Sequence, residues 1–280
     1  MYQVEKTSLW SPNDDVDVTM IDKQKIARSF SQASASYDAV AHFQQQVGQN
    51  LFARMKADVK GVTPRVLDLG SGTGFFTQEL SQLPGVKLCL AADLAHGMNR
   101  FAQQKYGVDQ GIHWLTADAE NLPLAANSVD LIFANLSLQW CQQLDGLAAS
   151  LNRVLAPGGQ VWFSSLDPGT LGELAQAWAR VDQYQHVNEF ISPETLVGHF
   201  EAQGFSCSGL SKEKIVLHYQ QPLTLMQELK KLGAHNVNDD ARHQLTGAGR
   251  LKKVLMAYPR DEQGLCPATY QVSYLGFKKN

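Results

Sequence analysis

Cysteine is scarce in this chain. Four cysteines stand far apart, at Cys89, Cys141, Cys207 and Cys266, with no C-x-x-C pair. That spacing excludes a zinc ribbon and a thioredoxin-type redox pair, and Cys89, inside an apolar run, reads as a core residue. The histidines form no H-x-x-H or H-E-x-x-H arrangement, so no metal is implied. His42, His113 and His218 read as ordinary polar or core residues. No apolar run approaches the roughly 18 residues of a membrane span. Residues 1–10 lack the basic-then-apolar layout of a signal peptide. The expectation is a soluble, cytoplasmic chain with no membrane partner. Positive charge is also in short supply: the net charge of −3 argues against a general nucleic-acid binder. A hydrophobic fraction of 44% excludes a mostly disordered protein.

The charge that is present is unevenly placed. Residues 1–210 carry 13 Lys+Arg against 21 Asp+Glu, whereas residues 211–280 carry 11 against 6. An acidic body with a basic final quarter suggests that any acidic partner docks at that end, although a solvated helix face is the plainer account of the charge.

Residues 1–20 are polar, acidic and aperiodic, as in a loose tail. Asp22 is placed to cap a helix from Lys23, with Ile26, Phe30, Ala33 and Tyr37 on one face. A second helix is predicted over 43–55. The run Arg65-Val66-Leu67-Asp68-Leu69 reads as a strand ending in Gly70-Ser71-Gly72-Thr73-Gly74, with a helix after it through Phe76 and Leu80. Further strands are predicted over 87–92, 112–116, 129–134 and 160–164. Helices are predicted over 96–106 and 144–155, the latter ended by Pro157-Gly158-Gly159. Strands alternating with helices imply βαβ units and a mostly parallel sheet. Helices over 171–184 and 193–203 follow. A sixth strand over 214–219 and a seventh over 268–278 bracket two helices, 223–232 and 246–258. The reading is an α/β fold in one domain over 21–280 after a tail over 1–20. A helical lid (21–60), a core (61–220), a helical insert (221–265) and a last strand (266–280) make up that domain.

Ligands of an open parallel sheet sit beyond the carboxyl ends of its strands. Gly70, Asp93, Asp118 and Asn135 end or follow four successive strands. Glycines there let the backbone turn and approach a ligand, although an isolated glycine loop is equally an ordinary βα turn. Asp93 falls where a carboxylate accepts both hydroxyls of a ribose. Asp118 falls where an acceptor takes the exocyclic amine of adenine. Either alone reads equally as a helix cap; with the glycines they describe an adenosine site. Phe75 stands where the third glycine of a dinucleotide fingerprint belongs. Asp68, two residues before the bend, disfavours phosphate and tolerates a sulfonium or ammonium. S-adenosylmethionine (SAM) carries adenine, ribose, an amine and a sulfonium.

The segments Val66-Leu67-Asp68-Leu69-Gly70-Ser71-Gly72-Thr73-Gly74, Asp93, Asp118-Ala119-Glu120-Asn121-Leu122-Pro123 and Arg153-Val154-Leu155-Ala156-Pro157-Gly158-Gly159 resemble class I SAM-dependent methyltransferases. Other segments are Lys23-Gln24-Lys25-Ile26-Ala27, Tyr37-Asp38, Asn135-Leu136-Ser137-Leu138-Gln139-Trp140-Cys141, Leu232-Gly233-Ala234-His235 and Thr269-Tyr270. These resemble the malonyl-carrier-protein O-methyltransferases of biotin synthesis (the BioC family). The resemblance implies a Rossmann-like class I methyltransferase fold, with a mostly parallel seven-stranded sheet and helices on both faces. It implies SAM as methyl-donor cosubstrate, held by Asp68, Gly70, Ser71, Gly72 and Gly74, by Asp93, Leu94 and Met98, and by Asp118, Ala119 and Asn135. It further implies methylation of the free carboxylate of a malonyl thioester, whose methyl ester primes pimeloyl synthesis. The implied partner is an acidic acyl-carrier protein, with coenzyme A as the other possible carrier.

A malonyl carboxylate is ionised at neutral pH and needs no general base. The chain shows no Ser-His-Asp or Cys-His constellation. Arg153 is the candidate to hold the carboxylate bidentately, a structural ion pair being the alternative. Tyr37 is the candidate to cap the methyl site, and Trp140 to wall the sulfonium; packing accounts equally for either. Lys230, Lys231, Arg250, Lys252 and Lys253 are candidates to steer the carrier protein. Three other readings remain: methylation of another small molecule such as a quinone precursor, a non-catalytic SAM- or carrier-binding module, and a nicotinamide oxidoreductase. Phe75 and Asp68 disfavour the last.

Overall fold

The computed structural model describes residues 22–59, 61, 63–107, 111–234 and 247–280. The tail expected over 1–20, His235 and the first residue of the helix expected over 246–258 lie outside them. Seven strands form one sheet: β1 Arg65–Leu69, β2 Leu88–Asp93, β3 Ile112–Thr116, β4 Val129–Asn135, β5 Leu155–Leu166, β6 Phe205–Tyr219 and β7 Cys266–Lys279. Their order is β3-β2-β1-β4-β5-β7-β6. The first five are parallel, and β7 runs antiparallel to both β5 and β6. The chain leaves β1 towards β2 and β3, then returns to β4 on the other side. A crevice therefore opens at the carboxyl ends of β1 and β4, where the winding reverses.

The central strands are apolar because both their faces are covered. Val66, Leu67, Leu131, Ile132 and Phe133 are completely buried. One apolar cluster joins Phe133 to Val47, Leu51 and Phe76; the other joins Ile132 to Leu147, Leu151 and Phe163. Each such side chain contributes about 1.5–3 kcal/mol on burial. The sheet centre is thus the firmest part of the molecule, and the crevice stands on it.

The helices are α1 Lys23–Tyr37, α2 His42–Asp58, α3 Phe75–Ser81, α4 His96–Tyr106, α5 Leu144–Val154, α6 Gly172–Ala179, α7 Pro193–Ala202, α8 Pro222–Lys231 and α9 Ala248–Ala257. The Asp22 carboxylate caps α1, accepting from the N–H groups of Gln24 (2.8 Å) and Lys25 (3.1 Å). α1 packs against α4 and α8. Ser29 Oγ donates to the Gly233 carbonyl (3.1 Å), and the Gly97 N–H donates to Ser31 Oγ (3.1 Å). A Cβ on Gly97 would stand 2.8 Å from Ser31 Cα, so the crossing of α1 and α4 depends on that glycine.

Three expectations need correction. Pro157-Gly158-Gly159 does not sit between helix and strand: α5 stops at Val154 and β5 already pairs Leu155 with Val129. Pro157 keeps Ala156 extended, and Gly158 at φ +74° absorbs an irregularity in the pairing. The helix expected over 171–184 ends at Ala179. There the chain doubles back, stacking His186 on Trp178 (3.7 Å between ring centroids) and pairing it with Asp182 (2.8 Å). The sixth strand starts at Phe205 rather than 214.

Candidate active site

The glycine bend is pinned to the end of β2. The N–H groups of Gly70 and Ser71 both donate to the Ala92 carbonyl, at 2.7 and 3.1 Å. Gly70 has φ +73°, and a Cβ on it would lie 2.2 Å from Ser137 Cβ, so the chain comes too close for any side chain. One oxygen of the Asp93 carboxylate accepts from Gly72 N–H (2.8 Å), the other from Ala95 N–H (2.7 Å). The bend and the start of the following turn are therefore tied to one buried carboxylate.

Below these groups lies a concave cleft of the kind in which small molecules bind. Gly70, Gly72, Asp93 and Asn135 reach it from the strand ends. Leu94, Asp118 and Ala119 reach it from the turns that follow, and Met98 from the first turn of α4. Tyr37 enters from α1 and Trp140 from the turn after β4. Asp68 and Ser71 line an adjoining space under the bend, with Tyr37, Gly72 and Asn135 common to both.

Two predicted residues stand apart. Gly74 packs backwards: a Cβ on it would meet Trp114 at 2.6 Å and Tyr106 at 3.0 Å, so it serves the helix–sheet contact and lines neither space. Arg153, predicted to hold a substrate carboxylate, sits at the end of α5. Its guanidinium donates to the carbonyls of Leu122 and Leu124. A planar fork already filled by two backbone oxygens on the outside of the fold cannot also face the cleft. Arg153→Ala is expected to leave SAM affinity and turnover within about twofold. It should lower the melting temperature modestly, because hydrogen bonds to a charged group contribute about 1.5–3 kcal/mol, less at an exposed position.

Asn135 lines the cleft with its amide already engaged. Its Nδ2 donates to the Gln44 carbonyl (2.9 Å), and its Oδ1 accepts from Ser164 Oγ (2.8 Å). It fastens α2 to the strand ends. Asp118 pairs with Lys23 of α1 (2.6 Å), and Lys23 also reaches Glu120 (2.6 Å). Ile26, Ala27 and Phe30 of the lid helix expected over 21–60 line the cleft, and Lys23 fastens that helix over it; none of these four was singled out as a site residue from the sequence. The signal was the face carrying Ile26, Phe30 and Tyr37.

The electrostatics suit a nucleoside that carries positive charge. Burial pushes the Asp68 carboxyl up to about 7, against the Thr77 hydroxyl, which donates to it and lowers it; the neighbouring Asp93 charge raises it further. Burial pushes Asp93 up to about 6, opposed by its two backbone donors. Two buried carboxylates with no cation against them among the described residues favour an arriving cation. Ser71 Oγ is sealed from solvent without a partner, and a Cβ on Gly72 would meet nothing within 4 Å, so the bend presents bare backbone. These residues fit SAM. Burial, then the charges of Asp93 and Asp38, push the Tyr37 phenol up, so it remains a protonated donor.

A second cavity adjoins the first, sharing Phe30, Tyr37, Leu136 and Trp140 with it. Phe43, Leu229, Leu232 and Tyr270 wall its far side. Phe30 meets Trp140 edge to face at 5.5 Å. Leu136, between the cavities, holds φ +48°. A leucine in that conformation costs about 1–3 kcal/mol and persists only where the surroundings enforce it. Here Ser164 accepts its N–H through both Oγ (3.0 Å) and the backbone carbonyl (3.2 Å).

A nucleoside cleft at the switch point of this sheet, built to accept positive charge and opening into a second chamber, defines a SAM-dependent methyltransferase. Residues 67–163 match the family described as Methyltransferase domain. The Bacillus subtilis YcgJ protein superposes with a TM-score of 0.59 at 19% identity, over 83% of this chain and 98% of its own. A phosphoethanolamine-type N-methyltransferase 2 of Haemonchus contortus, solved with S-adenosylhomocysteine, gives 0.52 at 19% identity, over 82% of this chain and 52% of its own. Both share the fold. Among sequence relatives, the biotin biosynthesis bifunctional protein BioHC of Cellvibrio japonicus is 43% identical over 92% of this chain, which spans 50% of that protein's length. The malonyl-[acyl-carrier protein] O-methyltransferases of Methylococcus capsulatus and Hahella chejuensis are 40% and 39% identical, with 86% and 92% of their lengths covered. The chain belongs to the malonyl-[acyl-carrier protein] O-methyltransferase family.

Proposed function

We propose that this protein transfers the methyl group of SAM to the free carboxylate of a malonyl group carried on an acyl-carrier protein. The product is the methyl ester that enters the synthesis of the pimeloyl chain of biotin. The observation that carries this reading is the second cavity. Its described lining is aromatic, aliphatic and amide, and contains no carboxylate, imidazole or thiol to serve as a base. A nucleophile that arrives already ionised needs none, whereas a quinol ring would.

When bound, SAM supplies a methyl carbon whose bond to sulfur breaks, its electron pair staying on sulfur, as the carboxylate oxygen bonds to that carbon. The protein's contribution is alignment and exclusion of water. Asp93 and the glycine bend orient the nucleoside. Trp140 and Phe30 wall the junction of the two cavities, and the Tyr37 phenol offers a donor there. α1, fastened by Lys23 to Asp118 and Glu120, covers the cleft. Alignment of this kind lowers a barrier by about 7–11 kcal/mol.

The carrier protein's approach follows from the charge of the final quarter. Lys230 and Lys231 end α8, whose Leu229 walls the second cavity. Arg250, Lys252 and Lys253 lie on α9. All five are exposed, and none has an ion-pair partner among the described residues. They support steering of an acidic carrier. Mass spectrometry of malonyl-carrier protein after incubation with SAM and the pure enzyme is expected to show a gain of one methylene on the acyl group; an unchanged mass would refute the reading. Across a salt series, kcat/KM is expected to fall as ionic strength rises. A flat profile would remove the steering role.

A further inference from the structure

The second cavity is apolar except for a few polar groups, and three of these are primary amides left unsatisfied. The side-chain oxygens of Gln44, Gln139 and Asn188 are sealed from solvent and have no hydrogen-bond partner. All three residues line this one cavity. They come from separate elements: Gln44 from α2, Gln139 from the turn after β4, Asn188 from the connection between α6 and α7. Each buried polar group without a partner costs about 1–3 kcal/mol. These oxygens are acceptors, and turning each amide about its last bond brings an N–H to the same unpartnered position, where an acceptor oxygen of a ligand supplies the missing bond. No lysine or arginine stands among the described residues of that lining, and Arg153 is engaged elsewhere.

We propose that Gln44, Gln139 and Asn188 hold the malonyl group, with neutral amide N–H groups donating to its carboxylate in place of a cation. The proposal rests on the malonyl reading above and assigns its specificity. A primary amide turns about its last bond and presents either two donors or an acceptor, so the three groups serve both the carboxylate and the thioester carbonyl. Neutrality has a kinetic reason. The carboxylate loses negative charge as its oxygen bonds to the methyl carbon. A guanidinium would hold the ground state more tightly than the transition state and slow the reaction. Neutral donors fix direction while leaving the charge on the attacking oxygen.

The test uses Gln44→Leu, Gln139→Leu and Asn188→Leu in the full chain, with malonyl-carrier protein and SAM. Each is expected to lower kcat/KM about 10- to 100-fold, the loss of one hydrogen bond to a charged group. SAM affinity by calorimetry should stay within about twofold, and the melting temperature should hold or rise, because an unpaired polar atom leaves an apolar wall. Gln139→Glu keeps the shape and adds a like charge; its loss should exceed that of Gln139→Leu and ease as pH falls. Leucine variants with unchanged kcat/KM would overturn the proposal while leaving the malonyl reading standing. Leucine variants that melt well below the parent would overturn it too, by showing the amides to be structural. Wild-type protein that never methylates malonyl-carrier protein would overturn both.

Discussion

Asp93→Ala is expected to weaken SAM binding about 100- to 10,000-fold while the protein still folds. The range follows from two charge-assisted hydrogen bonds to the ribose diol, about 1.5–3 kcal/mol each, at about 1.4 kcal/mol per tenfold. The carboxylate also holds the bend itself, through Gly72 and Ala95. Removing it therefore loses the ribose acceptor and releases the backbone that shapes the cleft. Stability moves in two directions at once. Gly72 and Ala95 lose their acceptor, which destabilises. A carboxyl whose buried position favours its neutral form disappears, which stabilises at neutral pH. The melting temperature should accordingly change by only a few degrees. Calorimetric titration with SAM beside a thermal melt separates the two effects. A variant that binds SAM as tightly as the parent would remove Asp93 from the site.

The parallel half of the sheet was legible because its central strands are short apolar runs closed by a glycine, an aspartate or an asparagine. Val66-Leu67 and Leu131-Ile132-Phe133 have no polar face to confuse the pattern. β6 was illegible over Ser206–Glu213 for the opposite reason. It is an edge strand whose outward positions meet solvent, and its burial alternates residue by residue. Serine, lysine and glutamate there look like a loop. The end of α6 was hidden because a long-range contact, Trp178 against His186, decides it.

The site shows the same division. Gly70, Asp93, Asp118 and Asn135 could be placed from chain order alone, since successive parallel strands bring their carboxyl ends to one rim. Which of their polar atoms are free was not readable. Asn135 is held by Gln44 and Ser164, and Asp118 by Lys23, through contacts between distant segments. Arg153 misled for this reason: its charge is written in the sequence, but the two carbonyls it serves are brought to it by the turn before β4. Gln44 and Asn188 carry no signal, because an amide in a polar stretch reads as solvent-facing until the fold closes over it, and Gln139, though inside a segment that carried the resemblance, had nothing to set it apart from its neighbours.

SAM affinity is expected to fall steeply with acid, far above the range in which ordinary aspartates titrate. In the ligand-free protein Asp68 takes up a proton near pH 7 and Asp93 near pH 6. A sulfonium or ammonium favours their ionised forms, so binding below those values must expel protons. Affinity should therefore be level above about pH 8. It should drop about tenfold per unit where one proton is displaced, and more steeply where both are. Between pH 8 and 5.5 the expected weakening is at least about tenfold. The fold responds with the opposite sign. Each carboxyl has a folded value above its unfolded one near 3.8, so the folded chain binds more protons between about pH 4 and 7. The stability they contribute is full below pH 4 and is lost as pH rises through 6 and 7. Bound SAM removes that dependence. Titrations in two buffers of different ionisation enthalpy count the protons released, and Asp68→Asn should abolish the step near pH 7 while leaving that of Asp93. Affinity independent of pH, with no protons released, would mean that the buried carboxyls never face the positive charge of the ligand.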